Sequence, residues 1–232
     1  MPIITDILNG ESGSSVRNKL NTVKDLSFLD MPIDVNTPVF IFSQFTFATN
    51  AAYTTLDSGQ SFVNLVGTTG VKTAINQGLQ VNTVNNVVGL STLPSVAVDF
   101  NGIITYEQGN PQDLSLLFWK DASNYIEIRI TSVAIDIYKN IAGVLTLVNS
   151  AVLTAGNPSN RFQKLRFKLV INSTSYMRLN YDLPLLLGLQ SIDLNTEATT
   201  FGPSSQITYF AIKQTNVSTS RQYLRSLTLS VR

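Results

Sequence analysis

Two periods divide this chain. Val16, Leu20, Val23, Leu26 and Leu29 recur every three or four positions, which marks one apolar face of a helix. The turn cluster Asn9-Gly-Glu-Ser-Gly precedes them, and Ser12 or Ser14 is placed to cap the helix start. Pro32 and Pro38 make residues 31–38 an extended linker. A helix this short is marginal alone. Its stripe must therefore be covered by the rest of the chain, by sister copies or by another protein.

From Pro38 onward the helical period gives way to alternation. Val39–Phe47, Phe62–Val66, Val71–Ile75, Leu79–Val84 and the segment ending in Val96, Val98 and Phe100 read as short strands. Asn101-Gly102 is a hairpin-turn signal. Leu114–Trp119, Tyr125–Ile130, Val133–Tyr138 and Val144–Val148 follow as antiparallel candidates, and Ile207–Ile212 and Leu227–Val231 come last. The cleanest alternation puts Ile126, Ile128 and Ile130 on one face and Tyr125, Glu127 and Arg129 on the other. Over 162–171, Leu165, Phe167, Leu169 and Ile171 point inward while Lys164, Arg166 and Lys168 point outward. Short strands, frequent turns and a period of two predict an all-β fold: an antiparallel two-sheet jelly-roll sandwich preceded by a short N-terminal helix. The expected domains are an attachment segment with linker over 1–37 and a head over 38–232.

Composition narrows the chemistry. The 232 residues are 44% hydrophobic and 13% charged, which suits a packed core rather than a disordered chain. A formal net charge of +1 gives no long-range pull toward a polyanion, so no nucleic-acid partner is expected. The chain has no Cys and no His, which excludes disulfides, thiolate or imidazole zinc sites and His-based triads. The opening Met1-Pro-Ile-Ile-Thr-Asp lacks a basic start and a long apolar run, so no signal peptide is expected. No segment reaches the ~20 apolar residues of a spanning helix, so no membrane insertion is expected.

Two stretches carry resemblances. Asn9, Gly10, Glu11, Ser12 and Gly13, followed by Val16, Arg17, Lys19 and Leu20, resemble a segment near the N-terminus of many bacteriophage head-fibre and tail-fibre proteins. The resemblance implies that these residues are a virion-attachment site bound to a capsid or tail protein. It also implies a homotrimer, for which Val16, Leu20, Val23, Leu26 and Leu29 are the candidate oligomerisation stripe. The second resemblance spans roughly 39–232 and is to the concanavalin-like, laminin-G-like jelly roll. It rests on Asn124–Ile130, Ala134–Tyr138, Gly143–Leu147, Arg161–Leu169 and the closing Tyr223–Leu229. That fold hosts lectins, glycosidases and structural modules, so it does not settle function.

The expected function is therefore a structural virion appendage, a head fibre that decorates a capsid and whose head is a candidate binder of cell-surface carbohydrate. A tail-fibre adhesin and a free lectin-like module stand as alternatives. Lectin sites stack an aromatic ring on a sugar face and add polar hydrogen bonds, which makes Trp119, Tyr125, Glu127, Arg129 and Tyr138 the candidate glycan-binding residues. A glycosidase needs two carboxylates about 5–9.5 Å apart across the scissile bond. No acidic pair stands at a suitable spacing on one strand. Asp193-Leu-Asn-Thr-Glu197 alternates oxygen ligands but lacks the rest of a calcium loop, and reads as a solvated loop. No cofactor or metal is expected. Incubating the protein with bacterial surface polysaccharides should release no new reducing ends; turnover lost on mutating one acidic residue would establish a hydrolase instead.

Overall fold

The computed structural model describes residues 39–42, 52–53, 55, 61–68, 71–74, 78–81, 85–90, 99–107, 114–131, 133–153, 162–183, 187–202, 207–214 and 223–231. All of them belong to the unit Asn36–Arg232. The expected N-terminal helix lies outside the described residues, as do Phe47, Val84, Val96 and Val98 of the expected strands.

The strands are β1 (Val39–Phe42), β2 (Ala52–Tyr53), β3 (Phe62–Val66), β4 (Val71–Ala74), β5 (Gly78–Val81), β6 (Val87–Leu90), β7 (Asp99–Glu107) and β8 (Leu114–Asp121). They continue as β9 (Asn124–Ile130), β10 (Ala134–Ile141), β11 (Val144–Val152), β12 (Phe162–Ser173), β13 (Tyr176–Leu183), β14 (Leu187–Asp193), β15 (Tyr209–Gln214) and β16 (Tyr223–Val231). A 3-10 turn over Asn195–Glu197 and a single helical turn, Ala198–Phe201, are the helical elements among the described residues. The larger sheet runs β14-β13-β12-β7-β16-β5-β4-β2, with β1 also on β16. The smaller runs β11-β10-β9-β8-β15-β6-β3. Every described pairing is antiparallel, and the molecule is a two-sheet jelly-roll sandwich.

Alternation dictates the core. Ile126, Ile128 and Ile130 from the smaller sheet meet Leu165, Phe167, Leu169 and Ile171 from the larger, all buried. Phe118 sits at the centre, with its ring edge-on to Phe100, Phe167 and Phe210 at centroid distances of 5.2, 5.8 and 5.8 Å. Phe167 also stacks on Phe210 at 5.5 Å. At one rim Gln214 reaches from β15 to accept a hydrogen bond from the Val81 backbone N–H of β5 at 3.0 Å, which joins the two sheets. Burial raises the Tyr181 phenol to about 12, and the equally buried Tyr106 phenol is pushed up as well.

The Asn101-Gly102 hairpin is not formed. Both residues lie inside β7, and Gly102 is the cross-strand partner of Phe167 and of Leu229. A Cβ on Gly102 would stand 2.2 Å from Phe167 Cζ, so the glycine is there to seat a ring. Tight turns occur elsewhere: Ala142 and Gly143, with φ of 52° and 82°, close the β10–β11 hairpin. The expected outward strip is also uneven. Lys164 is exposed, but Lys168 is buried and Arg166 forms a two-point ion pair with Asp182 on β13. Gly102→Ala should overpack the centre and cost roughly 1–3 kcal/mol, read as a lower midpoint in urea unfolding; an unchanged midpoint would mean that the ring is not held there.

Candidate functional site

The outward side chains of the smaller sheet form the candidate site, and strand register sets their grid. One row crosses the sheet as Leu147, Tyr138, Glu127, Leu117, Ala211 and Gly89. The next runs Leu145, Asn140, Tyr125, Trp119 and Tyr209. A third holds Asp136, Arg129, Ser115, Lys213 and Val87.

The middle of this face is apolar. Val87, Leu117, Trp119 and Ala211 are buried there, with Leu65, Tyr125 and Tyr209 packed against them and half-exposed. Gly89 leaves room for this layer, since a Cβ on it would lie 2.7 Å from a Leu65 methyl. Trp119 and Tyr125 are cross-strand partners whose rings stack nearly parallel, 10° apart with centroids at 5.2 Å. Trp119 is only 6% exposed, so Tyr125 presents the stack to solvent. Burial holds the Tyr125 phenol above its ordinary value; the charge of Glu127 adds to this, while Asn140 and Arg129 oppose it. The buried Asn140 carboxamide donates to the Ala122 carbonyl at 3.3 Å, and its oxygen has no hydrogen-bond partner among the described residues.

Beside the aromatic row lies a buried charge. The Glu127 side chain is fully buried, and its carboxylate accepts from Ser115 Oγ at 2.6 Å and from Arg129 Nε at 2.8 Å. Lys213 Nζ stands 3.9 Å away. The Arg129 guanidinium also lies over the Tyr138 ring, 4.2 Å from its centroid. A carboxylate so enclosed needs these partners, because an isolated buried charge is costly.

All five candidate glycan residues thus meet on one face, in unequal positions. Tyr125, Tyr138 and Arg129 reach its surface, Trp119 backs Tyr125, and Glu127 is an internal anchor. Tyr209, Ser115 and Lys213 were not singled out from the sequence. They join the site because β15 and β8 pair with matched parity, which no local pattern announces. The attachment candidates Asn9, Gly10, Glu11, Ser12, Gly13, Val16, Arg17, Lys19 and Leu20, and the further stripe residues Val23, Leu26 and Leu29, lie outside the described residues.

The acidic side chains described are engaged internally. Asp121 accepts from Ser123 and Asn124, Asp136 from Ser150, and Asp193 from Asn195; Glu197 pairs with Lys139 and accepts from Thr196. The Asp193–Glu197 segment is therefore a turn bonded within itself and to Met177 and Lys139, and it leads into the helical turn.

No family model and no curated protein matches this chain. Solved structures do. A protein of unknown function from Shewanella oneidensis MR-1 shares the fold with TM-score 0.50 at 12% identity, over 97% of this chain and 96% of that one. The CBM2 module of the evolved Dit of Lactobacillus casei BL23 phage J-1 aligns with TM-score 0.46 at 8% identity, over 88% and 94%. The carbohydrate-binding module CBM66 from Bacillus subtilis aligns with TM-score 0.39 at 14% identity, over 74% and 91%. Glycoside hydrolases are also among the neighbours, matched over 32–36% of their length.

Replacing Glu127 by Gln should leave Arg129 and Lys213 facing a neutral amide and cost roughly 3 kcal/mol. Chemical denaturation of the variant would read that loss; a loss under about 1 kcal/mol would mean that the carboxylate is not the anchor of this face.

Proposed function

We propose that residues 38–232 form a lectin-like module that binds carbohydrate on the outer face of the smaller sheet. The observation that carries this is the Trp119–Tyr125 stack, with half-exposed Tyr125 at the surface and Tyr209 and Tyr138 flanking it. An aromatic face has a negative quadrupole that attracts the C–H face of a pyranose ring. A platform already stacked on a second ring loses little side-chain entropy when it is covered. Arg129, at the same surface, supplies donors for ring hydroxyls. Tyr125 is the platform, Trp119 its support, Tyr138 and Arg129 a side wall, and Glu127 the residue that positions Arg129.

The N-terminal segment favours a second layer to this reading. A free lectin has no need of the fibre-like run Asn9–Gly13 with Val16, Arg17, Lys19 and Leu20. We read residues 1–37 as the link to a capsid or tail protein, with three copies sharing the Val16–Leu29 stripe, so that the chain is a virion appendage whose heads bind weakly one by one and strongly together.

On a glycan array, oligomeric protein should be retained by a restricted set of sugars. Tyr125→Ala should weaken that retention at least tenfold with the β circular dichroism unchanged. Silence of the wild type on arrays and on host cells, or full binding by the variant, would overturn the carbohydrate reading. Deleting residues 1–37 should leave glycan binding per head intact and remove the protein from purified particles; truncated protein still on particles would overturn the attachment reading alone.

A further inference from the structure

Seven large apolar side chains are exposed among the described residues, and all but Val66 gather at one side of the sandwich. Val144, Leu145, Leu147 and Val152 lie on β11, and Leu189 lies on β14, the strands that end the two sheets. Val133 belongs to the same border, because its carbonyl accepts from the Leu153 N–H at 2.8 Å. Asn149 of β11 donates to the Tyr181 hydroxyl of β13 at 3.2 Å, which places both sheet ends on one side.

β11 pairs with β10 along one edge, and the other edge has no strand partner among the described residues. Such edges are normally blunted by Lys, Pro or charge. Val144–Val152 has none of these; its sequence is VLTLVNSAV. What interrupts the strand is a bulge at Val148, between the pairs Ile137–Asn149 and Tyr138–Leu147. Up to the bulge the alternation is regular: Leu145 and Leu147 face outward opposite Asn140 and Tyr138, and Val144 and Thr146 face the other way.

We propose that this edge pairs antiparallel with the same edge of a second copy of the chain, about a two-fold axis at Thr146. The register follows from parity. A two-fold axis normal to the sheet keeps outer faces on one side, so paired residues must be an even number of positions apart. Centred on Thr146, Leu145 meets Leu147 of the second copy, Val144 meets Val148, and Thr146 meets itself. None of these pairs sets like charges opposite each other, and a Thr–Thr pair is among those that stabilise antiparallel sheets. The bulge ends the match after Val148. Charge selects the occupant. Self-pairing sets every side chain near the axis against its own kind, which like charges forbid and this neutral strand permits. A charged partner strand would find no counter-charge on it.

Pairing would fuse two smaller sheets into one and set two Tyr125 faces side by side, pointing the same way. The interface stands independently of what those faces bind.

The test uses the full chain in sedimentation velocity. The double substitution Leu145→Lys, Leu147→Lys should lower the particle mass to that of one chain, or of one trimer where the N-terminal segments join three copies, with the circular dichroism unchanged. An unchanged mass with native circular dichroism would overturn the proposal. A second test does not depend on that variant folding. The chain has no Cys, so Thr146→Cys should give a covalent dimer on mild oxidation. Ser150→Cys, exposed on the same strand beyond the bulge, should not. No cross-link at 146, or equal cross-linking at both positions, would also overturn it.

Discussion

Phe167 can cross to the opposite sheet only because position 102 carries no side chain. Its ring occupies the space that a Cβ on Gly102 would take, and from there it reaches Phe118 and Phe210. In a protein without disulfides this junction is what registers one sheet on the other. Interdigitated rings tolerate little displacement, because interiors are packed to the density of organic crystals. The flanking pairs of β7 with β12 and β16 inherit that placement, and so does the face that β8 and β9 turn outward.

That outer face is built differently from the core. Its apolar layer is thin, and a fully buried carboxylate stands inside it. Compared with an apolar replacement of the whole charged cluster, Glu127 and its partners contribute little net stability, since desolvation offsets much of the attraction to Arg129 and Lys213. The consequence of Glu127 is geometric. It fixes the Arg129 guanidinium over the Tyr138 ring and so sets a side wall beside the Tyr125 platform. A surface held by such contacts has its shape set by the fold itself.

The long alternating strands were legible in the sequence because their inward residues are all large and apolar and alternate mostly with charged ones: Ile126, Ile128 and Ile130, or Leu165, Phe167, Leu169 and Ile171. β13 was not read. Its inward Met177, Leu179, Tyr181 and Leu183 alternate just as well, but Asn180 and Asp182 between them are buried too, so its outward face carries no exposed polar stripe. Asn101-Gly102 misled because a dipeptide rule sees only neighbours, whereas Gly102 answers to a ring on a distant strand. The five site residues could be found from outward parity on neighbouring strands. Their ranking could not: that Trp119 supports and Tyr125 presents is decided by a stacking geometry with no sequence signature. The partners from β15 were hidden for the same reason that its pairing with β8 was, since strands far apart in the chain meet only in the closed sandwich.

The hydrogen bond from the Val81 backbone to the Gln214 side chain crosses the gap between the sheets at their rim. The interlocked rings already resist one sheet gliding on the other, a motion that would widen or narrow a surface groove. Here any glide strands a buried amide donor, a penalty of roughly 1–3 kcal/mol. The smaller sheet therefore behaves as a fixed stage. For the carbohydrate binding proposed above, selectivity has to come from the shape already present, and retuning toward another ligand would proceed by exchanging surface side chains one at a time, with the scaffold beneath them unmoved.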